Sequence, residues 1–403
     1  MKRLFLYLLM IVALGACIQS EPLNSEADII ACRILNGKGE VEKNIKGNII
    51  INNTQILAQA NRKIDLTKLA LEVQLTEGAT IFPDPSENRD YSETQQFTVT
   101  SEDGNWPKTY SVIIDTADLP VKYGFENWEL NDKGNYHVIY EKISRFLPAT
   151  EKEVVFKQYV WASGNSGYLL TGVATDPLSY PTVSVDGGID GGKAVKLETK
   201  STGNFGEQVK MPIAAGNLFL GSFDVANAVS RPLEATRFGL PFGRRPVTFK
   251  GHYKYKPGTG DFKAKDQNGK TVTIPGRMDE GDIYAVLYKS QGLHKEVLNG
   301  NNVLTSGNII AMARVQVVPT DHFVSFEIPF QYDNAHSVQW PDFIYRDASE
   351  DNTTGRYLTF NGEEMNDYKY NLAVVFTSSK YGAYFAGSVG STLYVDQVEV
   401  VCE

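Results

Sequence analysis

The sequence predicts an all-β protein built in two units. Three observations carry this. Apolar residues recur at alternate positions over short runs, helical periodicity is nearly absent across 403 residues, and ring-bearing and turn-forming residues abound, with 21 Tyr, 20 Phe, 35 Gly and 17 Pro. The length suits two domains rather than one.

The chain begins Met1-Lys2-Arg3, runs through apolar Leu4 to Leu14, and reaches Gly15-Ala16-Cys17. A basic start, a short apolar stretch and small residues make a secretory signal, too short to span a bilayer. Leu14-Gly15-Ala16-Cys17 also matches the lipobox of bacterial lipoproteins. Residues 1–17 are therefore expected to be a signal peptide ending at a lipidated Cys17, with 18–25 a polar tether. Several acyl chains on one Cys anchor stably where a single chain does not. The expected location is the outer membrane, facing the periplasm or the cell surface, with lipid as the sole membrane contact. The remaining Cys32 and Cys402 stand far apart in sequence and read as small apolar strand residues. With five scattered His they give no zinc-ligand spacing. A net charge of −9 without Lys/Arg clusters argues against nucleic acid or anionic lipid as partners and leaves neutral ligands such as sugars open.

The first unit is expected over 26–116. Its predicted strands are Ile29–Leu35, Asn48–Ile51, Ala70–Leu75, Gln96–Thr100 and Tyr110–Ile114. Between the last two lies Glu102-Asp103-Gly104-Asn105, whose Asp-Gly is a strong hairpin signal. These features resemble the small immunoglobulin-like domains at the N-termini of bacterial surface lipoproteins, which usually serve as spacers. Residues 115–122, with Pro120, read as a linker.

The second unit is expected over 121–403, more chain than an immunoglobulin-type sandwich needs. Phe249, Tyr253 and Tyr255 share one face of a strand whose other face carries Thr248, Lys250, His252 and Lys254. Val324, Phe326, Ile328 and Phe330 share another face. Asp282–Tyr288 and Leu372–Thr377 are apolar on both faces, the mark of strands covered on both sides. Long Gly-rich connections between such strands suit a β-jelly-roll with elaborate loops.

Several motifs of this unit are distinctive: Phe125-Glu126-Asn127-Trp128, Trp161-Ala162-Ser163-Gly164-Asn165, Ala214-Ala215-Gly216-Asn217-Leu218-Phe219-Leu220-Gly221, Gly239-Leu240-Pro241-Phe242-Gly243-Arg244-Arg245-Pro246, and Gly390-Ser391-Thr392-Leu393-Tyr394-Val395-Asp396. On them the unit resembles the "putative carbohydrate metabolism" domain family of Bacteroidetes-type surface lipoproteins. In that family a jelly-roll follows an immunoglobulin-like domain. The resemblance implies a jelly-roll akin to carbohydrate-binding modules and to sandwich-type glycoside hydrolases.

Sugar recognition needs aromatic faces against pyranose C–H groups, with amides, carboxylates or Arg for the hydroxyls. Trp161 and Asn165 on a Gly-rich loop offer such a set. Arg244 and Arg245 before a strand, Tyr284, and Tyr381 in the loop Tyr381-Gly382-Ala383-Tyr384-Phe385 complete the candidate carbohydrate site. Against this, a Trp or Tyr in a β-sandwich is more often core, which is the favoured reading of Tyr253, Tyr255 and Tyr284. Glu126 and Asp396 match the paired acidic positions that hold a structural Ca²⁺ in many jelly-roll sugar-binding modules, although calcium takes six to eight oxygens. Two solvated or Arg-paired carboxylates are an equally good reading.

Glycoside hydrolysis needs two carboxylates flanking the scissile bond. The Glu-x-Asp-x-x-Glu strand pattern of sandwich hydrolases is missing. Asp279-Glu280-Gly281-Asp282 reads first as a turn, and Glu327 earns no catalytic role. The leading expectation is a glycan-binding lipoprotein in carbohydrate acquisition, working alone or in a surface uptake assembly. A carbohydrate-active enzyme and an adhesin are the alternatives.

Overall fold

The structure is a computed structural model and describes residues 23–51, 54–60, 64–115, 119–147, 152–290, 297–338, 340–344 and 354–403. The expected signal, Cys17 and residues 18–22 of the tether lie outside the described residues. Among those described, no helix is long and apolar enough to cross a membrane.

The fold is all-β. Near the N-terminus, Ile29–Leu35 pairs antiparallel with Ala70–Leu75. Beside this pair lies a five-stranded sheet in the order Ile45–Ile51, Gln55–Ala60, Pro107–Asp115, Gln95–Thr100, Thr80–Phe82. Alternate residues of the facing strands, including Ile34, Leu71, Ile56, Phe97, Val99 and Val112, form one buried cluster. Five strands were legible in the sequence. Two others were missed: Gln55–Ala60, whose Gln and Ala are weak strand formers, and Thr80–Phe82, only three residues long. Gln55–Ala60 runs parallel to Pro107–Asp115, so its place depends on a distant pairing rather than on local propensity. The hairpin falls where Asp-Gly put it: Asp103 accepts from the Ser101 hydroxyl and the Asn105 N–H, and Gly104 takes a φ of 73°.

In the C-terminal portion two sheets face each other. One orders Thr182–Asp186, Lys193–Glu198, Thr392–Cys402, Pro246–Lys256 and Val324–Pro329, with Lys122–Tyr123 beside Thr392–Cys402. The other orders Trp161–Ala162, Asn217–Phe223, Tyr370–Thr377, Asp282–Lys289, Ile309–Val315 and Gln331–Tyr332. Between them Phe249, Tyr253, Tyr255 and Val395 meet Ile283, Leu287, Val374 and Phe376 in the largest core. Burying one such side chain stabilises by roughly 1.5–3 kcal/mol. The period of two in Thr248–Tyr255 thus picked the right face. Asp282–Lys289 and Tyr370–Thr377 are buried along almost their whole length, as their unbroken apolar runs required.

Cys32 and Cys402 are free. They pack in separate clusters, and burial pushes the Cys32 thiol up to about 12, which keeps it protonated and unreactive at neutral pH.

Candidate functional site

The second sheet turns one face to the core and leaves the other to the loops, and the register states which residues floor that outer face. Phe219, Val375, Tyr284 and Arg314 lie opposite one another across four strands, forming a single rung. Asn217, Thr377 and Asp282 form the next. Paired residues share a face, so both rungs point away from the core. Over them sits a cavity of about 320 Å³.

Its floor carries a buried ion pair. Arg314 donates through Nε to Asp282 Oδ1 at 2.9 Å and through an Nη to Oδ2 at 2.6 Å, a bidentate arrangement. The Asp282 side chain is only 5% exposed. Its charge raises the Arg314 pKa further, so the guanidinium stays ionised throughout the accessible pH range. The rim is aromatic. Trp340 meets Tyr384 edge-on with centroids 5.2 Å apart, and both line the cavity with Tyr381. The short 3-10 helix Gly382–Tyr384 brings Tyr381 and Tyr384 there. Gly382 is required because a Cβ would stand 2.3 Å from that of Ala215. Phe385 ends the turn with φ 58°, a left-handed conformation that a bulky residue adopts only under constraint.

Asp279, three residues before the strand that begins at Asp282, holds this loop in place. The Ser379 and Ser391 hydroxyls and the Ser388 N–H donate to its Oδ2, and the Glu280 N–H to Oδ1. Burial outweighs these donors and raises its pKa above the ordinary carboxylate value. A raised folded-state pKa favours the fold most below the unfolded-state pKa, and that contribution is lost as pH rises through the folded value. The stability advantage of the native chain over Asp279→Asn is therefore expected to be largest in acid and to shrink toward neutrality. Urea unfolding of both proteins from pH 4 to 7 measures this; a constant or widening gap would contradict it.

The sequence-predicted residues separate into two groups. Tyr284 and Tyr381 reach the cavity, the first as floor and the second as wall. The other four do not line it. Trp161 is a correction: it is 6% exposed and packed against Tyr123, Phe125 and Phe376, with Nε1 donating to Glu141 at 3.0 Å. Asn165 is likewise structural. Fully buried, it donates to the Thr182 carbonyl and accepts from the Thr182 N–H, copying a strand pairing with its side chain. The polar Gly-rich run around it suggested a ligand loop, whereas it folds as the short helix Asn165–Leu169 seated on the sandwich. Arg244 donates to the Leu119 carbonyl and lies over Phe242. Arg245 pairs with Glu403 and lies over Tyr332 and Phe360. Both guanidinium groups thus tie the start of their strand to neighbouring segments.

Glu126 and Asp396 do approach each other, as the calcium reading required, but they hold a loop. Asp396 accepts from the Ile189 and Gln397 N–H groups, and Glu126 from that of Lys193. A Cβ on Gly188 or Gly192 would collide with these carboxylates. Burial first, then nearby Glu126 and Asp190, push the Asp396 carboxyl up. Among the described residues no three His, Cys, Asp or Glu side chains converge as metal ligands. Two carboxylates already engaged by backbone N–H groups do not supply calcium's donor set.

Arg314, Trp340 and Lys380 were missed as cavity residues, whereas Tyr384 belongs to the loop the sequence offered with Tyr381. Arg314 lies within the otherwise apolar strand Ile309–Val315, a signal that was readable as a buried charge needing a partner. Trp340 lies in an irregular segment with no pattern to place it.

A family model described as "Putative carbohydrate metabolism domain" matches residues 124–401, and one described as "SGBP, N-terminal" matches residues 38–114. A solved structure from Bacteroides thetaiotaomicron VPI-5482, described as a putative glycoside hydrolase, is 38% identical with a TM-score of 0.73, covering 96% of this chain and 99% of its own. A second with the same description, from Bacteroides vulgatus ATCC 8482, is 32% identical with a TM-score of 0.54, covering 72% of this chain and 100% of its own. No curated protein matches the chain.

Proposed function

The chain belongs to the putative carbohydrate metabolism domain family, and from that premise we propose that it is a cell-envelope lipoprotein that binds a glycan in the cavity over the outer face of its second sheet. In this reading Cys17 carries the anchor, the unit over 26–116 is a spacer, and the unit over 121–403 holds the ligand for carbohydrate acquisition at the outer membrane. The match of residues 38–114 to an SGBP N-terminal model supports the spacer arrangement and a surface location.

One observation carries the assignment: an open-mouthed cavity lined by flat rings (Trp340, Tyr381, Tyr384) and by a fixed charged pair (Asp282, Arg314). Rings stack on the apolar faces of a pyranose, and the free lone pairs and N–H groups of the ion pair bind hydroxyls. Because the pair is already bidentate, it is preorganised and loses little on binding.

Hydrolysis is the second reading, favoured by how the two similar structures are described. It needs two carboxylates about 5–10 Å apart across the bond. Among the described residues lining the cavity Asp282 is the single carboxylate, and Arg314 engages both its oxygens. Binding without turnover fits this better. An adhesin reading fits less well, since a flat or edge contact needs no cavity.

The chain from Ile18 onward, applied to a broad glycan array, tests the proposal. Binding to one glycan class, weakened at least tenfold by Trp340→Ala, is expected. Release of reducing ends from the bound glycan would establish the hydrolase reading instead, and silence across plant, host and microbial glycans would remove both.

A further inference from the structure

The floor of the cavity changes character from one side to the other. Along the rung Phe219–Val375–Tyr284–Arg314, the strand Asn217–Phe223 contributes apolar surface, while Asp282–Lys289 and Ile309–Val315 contribute the phenol and the ion pair. On the side of Asn217–Phe223 the lining includes Phe223 itself, and Phe205, Val209, Met211 and Val229 add further apolar wall. Phe223 touches Gly167 and sits by Ala228, which places the short helix Asn227–Ser230 on that side.

Most polar groups there are already engaged within the protein; the Thr236 hydroxyl, opposite Phe223, is buried without a partner. The Thr202 hydroxyl donates to the Met211 carbonyl and that of Thr171 to the Tyr168 carbonyl. The Asn217 amide accepts from the Gly164 N–H and donates to the Ala215 carbonyl. Sugar hydroxyls placed against this wall would lose water and gain few partners, an unfavourable exchange. Phe205 and Val229 line the cavity yet remain 36% and 39% exposed, so apolar surface at its mouth goes uncovered by the protein itself.

We propose that the ligand is a saccharide bearing an apolar substituent, with its sugar over Asp282 and Arg314 beneath the Trp340–Tyr384 rim and its substituent against Phe205, Phe223 and Val229. The inference rests on the glycan-binding reading and narrows its substrate class. An alkyl or acyl chain and an aryl group share the required chemistry. Both favour an unpolarised wall, and each buried methylene or ring adds affinity in proportion to the area removed from water.

Isothermal titration of the chain from Ile18 onward with methyl, n-octyl and phenyl β-D-glucopyranoside, each below any micelle-forming concentration, tests this. The octyl or the phenyl glucoside is expected to bind at least tenfold more tightly than the methyl glucoside. The better of the two identifies an aliphatic or an aromatic substituent. The gain should fall at least fivefold in the Phe205→Ser/Val229→Ser double variant, whose positions are exposed enough to spare the fold. Equal binding of all three glucosides, or a gain untouched by the double variant, overturns the inference even if the array finds a glycan. Array silence with the gain intact overturns the sugar half and leaves an apolar ligand.

Discussion

Replacing Asp282 with Ala is expected to destabilise the chain by about 3 kcal/mol and to abolish glycan binding. Breaking a buried pair leaves an uncompensated charge, which typically costs roughly 3–5 kcal/mol; the lower end applies because Arg314 keeps 32% of its side chain exposed. Arg314 cannot escape the penalty by deprotonating, since its pKa lies far above neutrality. The double variant Asp282→Leu/Arg314→Met separates stability from function. Apolar residues of similar volume often replace a buried pair with little or no loss, so its unfolding free energy should fall within about 1 kcal/mol of the native value. Its glycan affinity should still drop on the order of tenfold to a hundredfold, the loss of hydrogen bonds to charged groups. Urea unfolding and titration on the two variants check this. A double variant that binds normally would show that the ion pair is scaffold alone.

Trp161→Ala should be almost as damaging, through a different route. A buried Trp cut to Ala loses roughly 3–5 kcal/mol through lost packing and the cavity left behind. Here the lost ring contacts are Tyr123 at 4.8 Å, Phe125 at 5.4 Å and Phe376 at 6.0 Å. The Glu141 carboxyl, its pKa raised by burial, also loses its indole donor. Trp161→Phe restores a ring without the N–H and should recover about half of the lost stability. Because Trp161 lies outside the cavity, the folded fraction of either variant should bind glycan within about twofold of the native chain. A selective loss of binding at native stability would return Trp161 to the ligand site.

The contrast between these residues marks what the sequence can carry. Strand faces were legible at Phe249, Tyr253 and Tyr255 because period two is a local property of the backbone, and a buried face must match it. Continuous apolar runs at Asp282–Tyr288 and Leu372–Thr377 likewise announced strands covered on both sides. The ligand site was partly legible. Tyr284 and Tyr381 were picked out, while Trp161 and Asn165 were drawn in by a Gly-rich run that looked like an exposed loop. Whether such a run faces solvent depends on what packs on it: Asn165 satisfies the backbone of Thr182, 17 residues away. The bidentate pair of Asp282 and Arg314 spans 32 residues and two strands, so only register brings it together. The paired acids Glu126 and Asp396 show the complementary error. Their proximity was foreseen, but not the backbone N–H groups that occupy them.

A crystal structure of the chain from Ile18 onward with the glycan selected on the array decides whether this cavity is the glycan site. Density is expected in the cavity, with sugar hydroxyls within hydrogen-bonding distance of Asp282 or Arg314 and a pyranose face against Trp340 or Tyr384. Density for the glycan anywhere else, with this cavity empty, would contradict it.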